Sequence, residues 1–167
     1  TMGQIIRWKE QGDFSGERFE WNHLLLAGDP QAGRAEARGN IQGDIFSGPD
    51  TLAFGTNGLL WIGTDMSSIG KGEMARMGNN ALLACNPVSG EVRRFLTGPM
   101  ESEITGATWT PDGRTMFINI QHPGAGVPRD GTGNPRQFSN WPDFNPVGRP
   151  RSSTVAIRRK DGGVVGS

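Results

Sequence analysis

Short apolar runs separated by glycine, proline and polar clusters fill this chain, and helical periodicity of useful length appears nowhere. The pattern predicts a first strand from Gly3 to Lys9 and a second from Arg18 to Leu26, joined as a hairpin through the glycine- and serine-containing stretch around Gly12 to Gly16. A polar, glycine-rich link from Gly28 to Gly48 follows. Two sets of four strands come next: Thr51 to Phe54, Leu59 to Thr64, Ala81 to Asn86 and Glu91 to Leu96, then Gly106 to Thr110, Thr115 to Ile120, Ser153 to Arg158 and Gly163 to Gly166.

The opening of the first set recurs in the second after about 55 residues, with Phe54 matching Trp109 and Gly58 matching Gly113. A hairpin that returns at such an interval is the sequence form of a β-propeller blade. The expected fold is therefore all-β, a propeller fragment of about two complete four-stranded blades plus a two-stranded half blade. Its divisions are a half blade over 1–27, a linker loop over 28–48, and blades over 49–97 and 98–167. A closed propeller needs at least four blades, so the expected partners include the remaining blades of a longer parent chain.

The loops fall into two kinds. Thr56 to Gly58, Asp112-Gly113, Pro87 to Gly90 and Lys160 to Gly163 carry tight-turn signals and join first strands to second or third to fourth. Every long connection belongs to the opposite rim: Gly28 to Gly48, Asp65 to Asn80, Thr97 to Thr105 and Gln121 to Ser152. One rim is plain and the other elaborated, as expected where a scaffold carries a site on its loops.

Composition narrows the function. Seventeen basic and seventeen acidic residues cancel, so there is no electrostatic footprint for nucleic acid or an anionic membrane surface. No apolar run approaches a membrane span. Cys85 is the sole cysteine, which rules out an internal disulfide or a thiolate cluster, and its apolar strand reads as packing. Nucleophile elbows, Walker loops, zinc-spaced clusters and dinucleotide fingerprints do not occur.

Candidate chemistry gathers at the elaborated rim. Asp50 and Glu103 precede the innermost strands of successive blades, where carboxylates point into the channel mouth and suit a hard cation such as calcium, with its six to eight oxygen ligands. Two carboxylates cannot complete that shell, so other blades, water or substrate must supply the rest. An isolated Asp50 is also what an ordinary Pro-Asp turn contains. His122 ends a second strand at the same rim, with Asp65 as its counterpart in the preceding blade; it can ligate a metal, donate a proton, bind an anion, or serve only as a loop residue. Arg149 and Arg151 enter a third strand and carry guanidinium forks suited to phosphate or carboxylate. Asn79 and Asn80 hold the corresponding place in the other blade, as substrate contacts or strand caps. Trp141 and His23 read as packing residues.

Several runs in order resemble PhoX-type alkaline phosphatases, in their C-terminal part: Leu24 to Pro30, Arg94 to Pro99, Glu103 to Gly106, Thr110 to Phe117, Asn119-Ile120-Gln121-His122-Pro123-Gly124, Ser139-Asn140-Trp141-Pro142 and Arg149-Pro150-Arg151-Ser152. The resemblance implies a six-bladed ring, Ca2+ and Fe3+ at the channel mouth of the parent protein, a phosphate-ester substrate, and export by the twin-arginine route to a periplasmic or extracellular location. Thr51 departs from the Pro-Asp-Gly pattern that the resemblance leads one to expect. On this footing Asp50 and Glu103 are expected as metal ligands, His122 as the catalytic group, and Arg149, Arg151 and Asn80 as substrate contacts. The chain by itself is expected to be inactive and metal-poor, with exposed blade edges able to form a homodimer. The rival expectations are a calcium-dependent lactone or ester hydrolase and a non-catalytic interaction scaffold.

Overall fold

In a computed structural model that describes residues 2–67, 69–126, 133–145 and 147–167, ten strands and three single-turn 3-10 helices make up the regular structure. The strands form three sheets. A hairpin pairs β1 (Gln4–Glu10) with β2 (Phe19–Leu26). A five-stranded sheet runs β3 (Gln42–Gly43), β7 (Glu91–Thr97), β6 (Ala81–Cys85), β5 (Leu60–Thr64), β4 (Pro49–Phe54), and a three-stranded sheet runs β10 (Ser153–Arg158), β9 (Thr115–Gln121), β8 (Glu103–Trp109). All pairings are antiparallel except the short parallel one between β3 and β7. The all-β expectation holds, and none of these sheets closes on itself.

The five-stranded sheet is the middle layer, and its burial shows why. Every residue of β5 is buried, and β6 nearly so, because both faces of these strands are covered. Leu60, Ile62, Leu83 and Cys85 pack with Ile5 and Leu25 of the hairpin and with Ala37, Ile41 and Phe46 of the linker. On the other face Trp61 and Leu82 pack with Ile104, Met116, Ile118 and Ile120 of the three-stranded sheet. Trp61 also meets Phe95 edge-on at 5.0 Å and Trp109 at 5.7 Å. Burying a side chain of this size against both sheets contributes roughly 1.5–3 kcal/mol, before packing is counted. Cys85 lies in that core with no exposure, and burial pushes its thiol pKa up, so it is a packed apolar residue.

Two features differ from the sequence expectation. The stretch Gly163 to Gly166 forms turns instead of a fourth strand: Val165 donates its amide to the Gly113 carbonyl at 3.0 Å, and the Asn57 amide reaches the Gly166 carbonyl at 3.0 Å. Its residues serve as a plug over the tight-turn rim, with Val165 2% exposed. The linker in turn supplies β3, whose register puts Gln42 beside Glu91 and Gly43 beside Val92. Gly43 has φ 113, and a Cβ there would lie 2.1 Å from the Val92 carbonyl oxygen, so only glycine permits this pairing.

The outer layers are unequal. The hairpin leaves Ile6, Trp8, Phe19 and Trp21 about half exposed on one face. The three-stranded sheet instead sets Asn119 opposite Thr154, away from its apolar face. His23 is exposed and packs edge-on against Trp21 at 5.4 Å.

Candidate metal centre

Antiparallel pairing decides which residues meet. In β4–β5 the register sets Pro49 opposite Thr64, and in β8–β9 it sets Glu103 opposite Gln121. Asp50 near the start of β4, Asp65 just after β5, Glu103 at the start of β8 and His122 just after β9 therefore lie at the same end of their strands. Asp50 and Glu103 fall within their strands, because β4 begins at Pro49 and β8 at Glu103, where the sequence pattern predicts starts at Thr51 and Gly106.

The two sheets approach closely at this end. Thr51 and Thr105 share a hydroxyl–hydroxyl hydrogen bond of 3.0 Å. A Cβ on Gly63 would sit 2.2 Å from the Ile104 carbonyl oxygen, so the absence of a side chain at Gly63 is what lets β5 run against β8. One residue of β5 and one further step then bring Asp65 to the start of β8.

The result is a cluster in which ligand atoms of Asp65, Glu103 and His122 all lie within 4.8 Å of one another. His122 Nε2 is 3.3 Å from a Glu103 carboxylate oxygen, and Gln121 donates its side-chain amide to the same oxygen at 2.7 Å. The Glu103 side chain is 8% exposed, against 43% for His122. Burial, the charge of Asp65, and a hydrogen bond and charge from Asp50 together raise the Glu103 pKa above the ordinary Glu value, with His122 pulling the other way. A carboxylate held in that environment favours either a proton or a cation. The donor set, two carboxylates and one imidazole with the Asp50 carboxylate beside Glu103, fits a divalent ion.

His122 has φ 39, in the left-handed region that side chains other than glycine seldom adopt, and its backbone amide donates to Ser152 Oγ at 3.1 Å. The β9–β10 connection thus pins the histidine in a strained conformation, a kind of strain that concentrates at functional sites.

The remaining sequence candidates lie elsewhere. Arg151 makes a two-pronged ion pair with Asp143 at 2.9 and 3.0 Å, and its backbone amide donates to the Trp141 carbonyl. Arg149 is exposed, and neither arginine pairs with Asp50, Asp65 or Glu103 among the described residues. Asn80 is buried, its side-chain oxygen accepting from Thr64 Oγ1 at 3.0 Å and from the Met66 amide at 2.7 Å, so it braces the β5–β6 connection. Asn79 donates to the Gly98 carbonyl at 2.8 Å and to that of Pro99. Trp141 packs against the core beside Phe144, as an anchoring residue does. Asp65 and Gln121 were not among the expected ligands or their supports. The available signal for Asp65 was its equivalence to His122 in the repeat; Gln121 carried none.

Comparison with known proteins settles the family. The profile of the family described as alkaline phosphatase PhoX matches residues 1–124. The chain belongs to the PhoX alkaline phosphatase family. Among solved structures, it is similar to Pseudomonas fluorescens PhoX in complex with vanadate, a transition state analogue, at 40% identity and a TM-score of 0.87. That similarity covers 99% of this chain and 28% of that one, so the chain spans little more than a quarter of the length of its PhoX neighbour. No curated protein matches.

Proposed function

We propose that this chain forms part of a metal-dependent phosphomonoesterase, to which it contributes one wall of the metal and phosphate site. The observation that carries this is the convergence of Asp65, Glu103 and His122, with Asp50 beside them, in a member of the PhoX family. Asp50, Asp65 and Glu103 would hold the cation, calcium by the hardness of the donors, with iron a further expectation for the whole protein. A bound cation neutralises charge on phosphate oxygens as the ester bond breaks.

The chain's own residues do the rest. Gln121 and burial hold one Glu103 oxygen in a fixed place, so the ligand geometry needs little reorganisation when the cation binds. His122, half exposed and fixed through its backbone by Ser152, is aimed to contact the phosphate or move a proton to the leaving oxygen. Arg149, exposed and without a carboxylate partner among the described residues, would be the guanidinium for a phosphate oxygen; Arg151 would first have to release Asp143. The remaining blades of a six-bladed parent would complete the ligand shell, and a periplasmic or extracellular location would accompany them.

The test is p-nitrophenyl phosphate hydrolysis and calcium binding by the full-length protein, run beside a lactone substrate. Calcium-dependent phosphate release that Glu103→Gln abolishes supports the proposal. Turnover of the lactone alone, or phosphate release indifferent to both calcium and Glu103→Gln, overturns it.

A further inference from the structure

Next to the carboxylate cluster lies an open cavity of about 350 Å³ lined by Thr105, Asn119, Ile120, Gln121 and the Ser152 to Thr154 stretch. It adjoins the candidate centre through two hydrogen bonds already described, Gln121 to Glu103 and the His122 amide to Ser152. Its lining carries neither ionisable nor aromatic side chains, in contrast to the charged cluster beside it. Its hydroxyl and amide groups share the surface with Ile120 and the threonine methyls.

Asn119 has been given a particular place in this wall. The register between β8 and β9 slips between Thr105 and Thr108, and Gly106 in the slip has φ 67. A Cβ on Gly106 would meet the Asn119 side-chain nitrogen at 2.4 Å, so glycine there makes room for the amide to lie across the strand. Across the sheet Thr154 donates its hydroxyl to the Asn119 oxygen at 2.7 Å. With its oxygen taken and its orientation fixed, Asn119 presents an NH2 group that has no protein partner among the described residues. Ser152, whose oxygen accepts the His122 amide, likewise keeps its own proton free to donate.

We propose that this cavity is a subsite for the alcohol portion of the substrate, selecting aliphatic, hydroxyl-bearing phosphate esters such as glycerol or sugar phosphates over aryl phosphates. It rests on the phosphomonoesterase function proposed above. Neutral donors satisfy sugar or polyol oxygens without attracting a second anion, whereas an aryl group would leave those donors facing an apolar ring and unsatisfied.

Two readouts test it. In the full-length, metal-loaded protein the ratio of kcat/KM for glycerol 1-phosphate to that for p-nitrophenyl phosphate falls about tenfold in Asn119→Ala, and severalfold in Thr154→Val, which frees the amide from its brace. An unchanged ratio in both variants, at unchanged melting temperature, overturns the subsite. Independently of turnover, titrating glycerol or glucose into the 15N-labelled protein shifts the Asn119 side-chain NH2 signals, and Thr154→Val weakens the response. Absence of a shift overturns the subsite even where phosphatase activity is present. A shift in a protein that hydrolyses neither ester keeps the subsite and overturns the phosphomonoesterase function instead.

Discussion

The two halves of the carboxylate cluster come from equivalent places in successive sheets yet are built differently. Asp50 and Asp65, from the five-stranded sheet, are exposed, while Glu103 is buried, hydrogen-bonded by Gln121 and approached by His122. Carboxylates near the starts of corresponding strands are therefore exposed and hydrated in one sheet, and buried and hydrogen-bonded in the next. The desolvated member carries the electrostatic tension, since burial and two neighbouring carboxylates all disfavour its charge. A cation, if held as proposed, would relieve that tension at Glu103 far more than at Asp50. The lesson is that residues entering corresponding strands at one rim need not share an environment.

The most disruptive way to break the contrast is to push the sheets apart. Gly63→Val places a side chain where the Ile104 carbonyl already stands, and we expect a loss of about 3 kcal/mol in stability together with loss of calcium binding, read by thermal melts and calorimetry. A fully stable Gly63→Val variant with intact binding would mean the close approach of β5 to β8 does not organise the cluster.

Replacing the proposed ligands one at a time sharpens the comparison. In the full-length protein we expect Glu103→Gln to weaken calcium binding about 100-fold and Asp50→Asn about tenfold, both measured by titration calorimetry. Equal effects would show that burial confers no special role on Glu103. Without metal the order reverses in sign: Glu103→Gln removes a buried charge facing two carboxylates and raises the melting temperature, whereas exposed Asp50→Asn leaves it nearly unchanged.

Smaller effects come from the supports. Gln121→Ala removes one neutral hydrogen bond to Glu103, and we expect a fewfold loss of calcium affinity with stability little altered. Cys85 offers a control on the core: its thiol reacts with iodoacetamide only as fast as the chain unfolds, because the side chain is fully buried and its pKa is raised.

The strands were largely legible because period-two alternation and Asn-Gly or Asp-Gly turns are local signals. β4 alternates half-buried and exposed residues along its whole length, and its turn to β5 has Gly58 at φ 79. The misread strand at Gly163 to Gly166 has the composition of an edge strand, but nothing in its own residues says whether a neighbour offers free backbone groups. The Gly113 carbonyl and the Asn57 amide took its hydrogen bonds first. For the site, the repeat located Asp50, Glu103 and His122 at one rim, because strand direction fixes the rim. Asn80 misled because an amide at a loop end reads alike whether it faces substrate or braces its own connection, as its bonds to Thr64 and Met66 show it doing.

By itself, then, the order of residues determined which segments are strands, which rim carries the long connections, and which acidic residues sit at equivalent places. Only the tertiary structure decided that Glu103 is buried, that Asp65 joins it, and that Gln121 and Asn119 are aimed at neighbouring groups. The reason is physical: hydrogen-bonded turns and alternation depend on residues a few positions apart, whereas desolvation and ligand distance depend on how closely two sheets approach, and that was set by a missing side chain at Gly63 against a carbonyl some forty residues away.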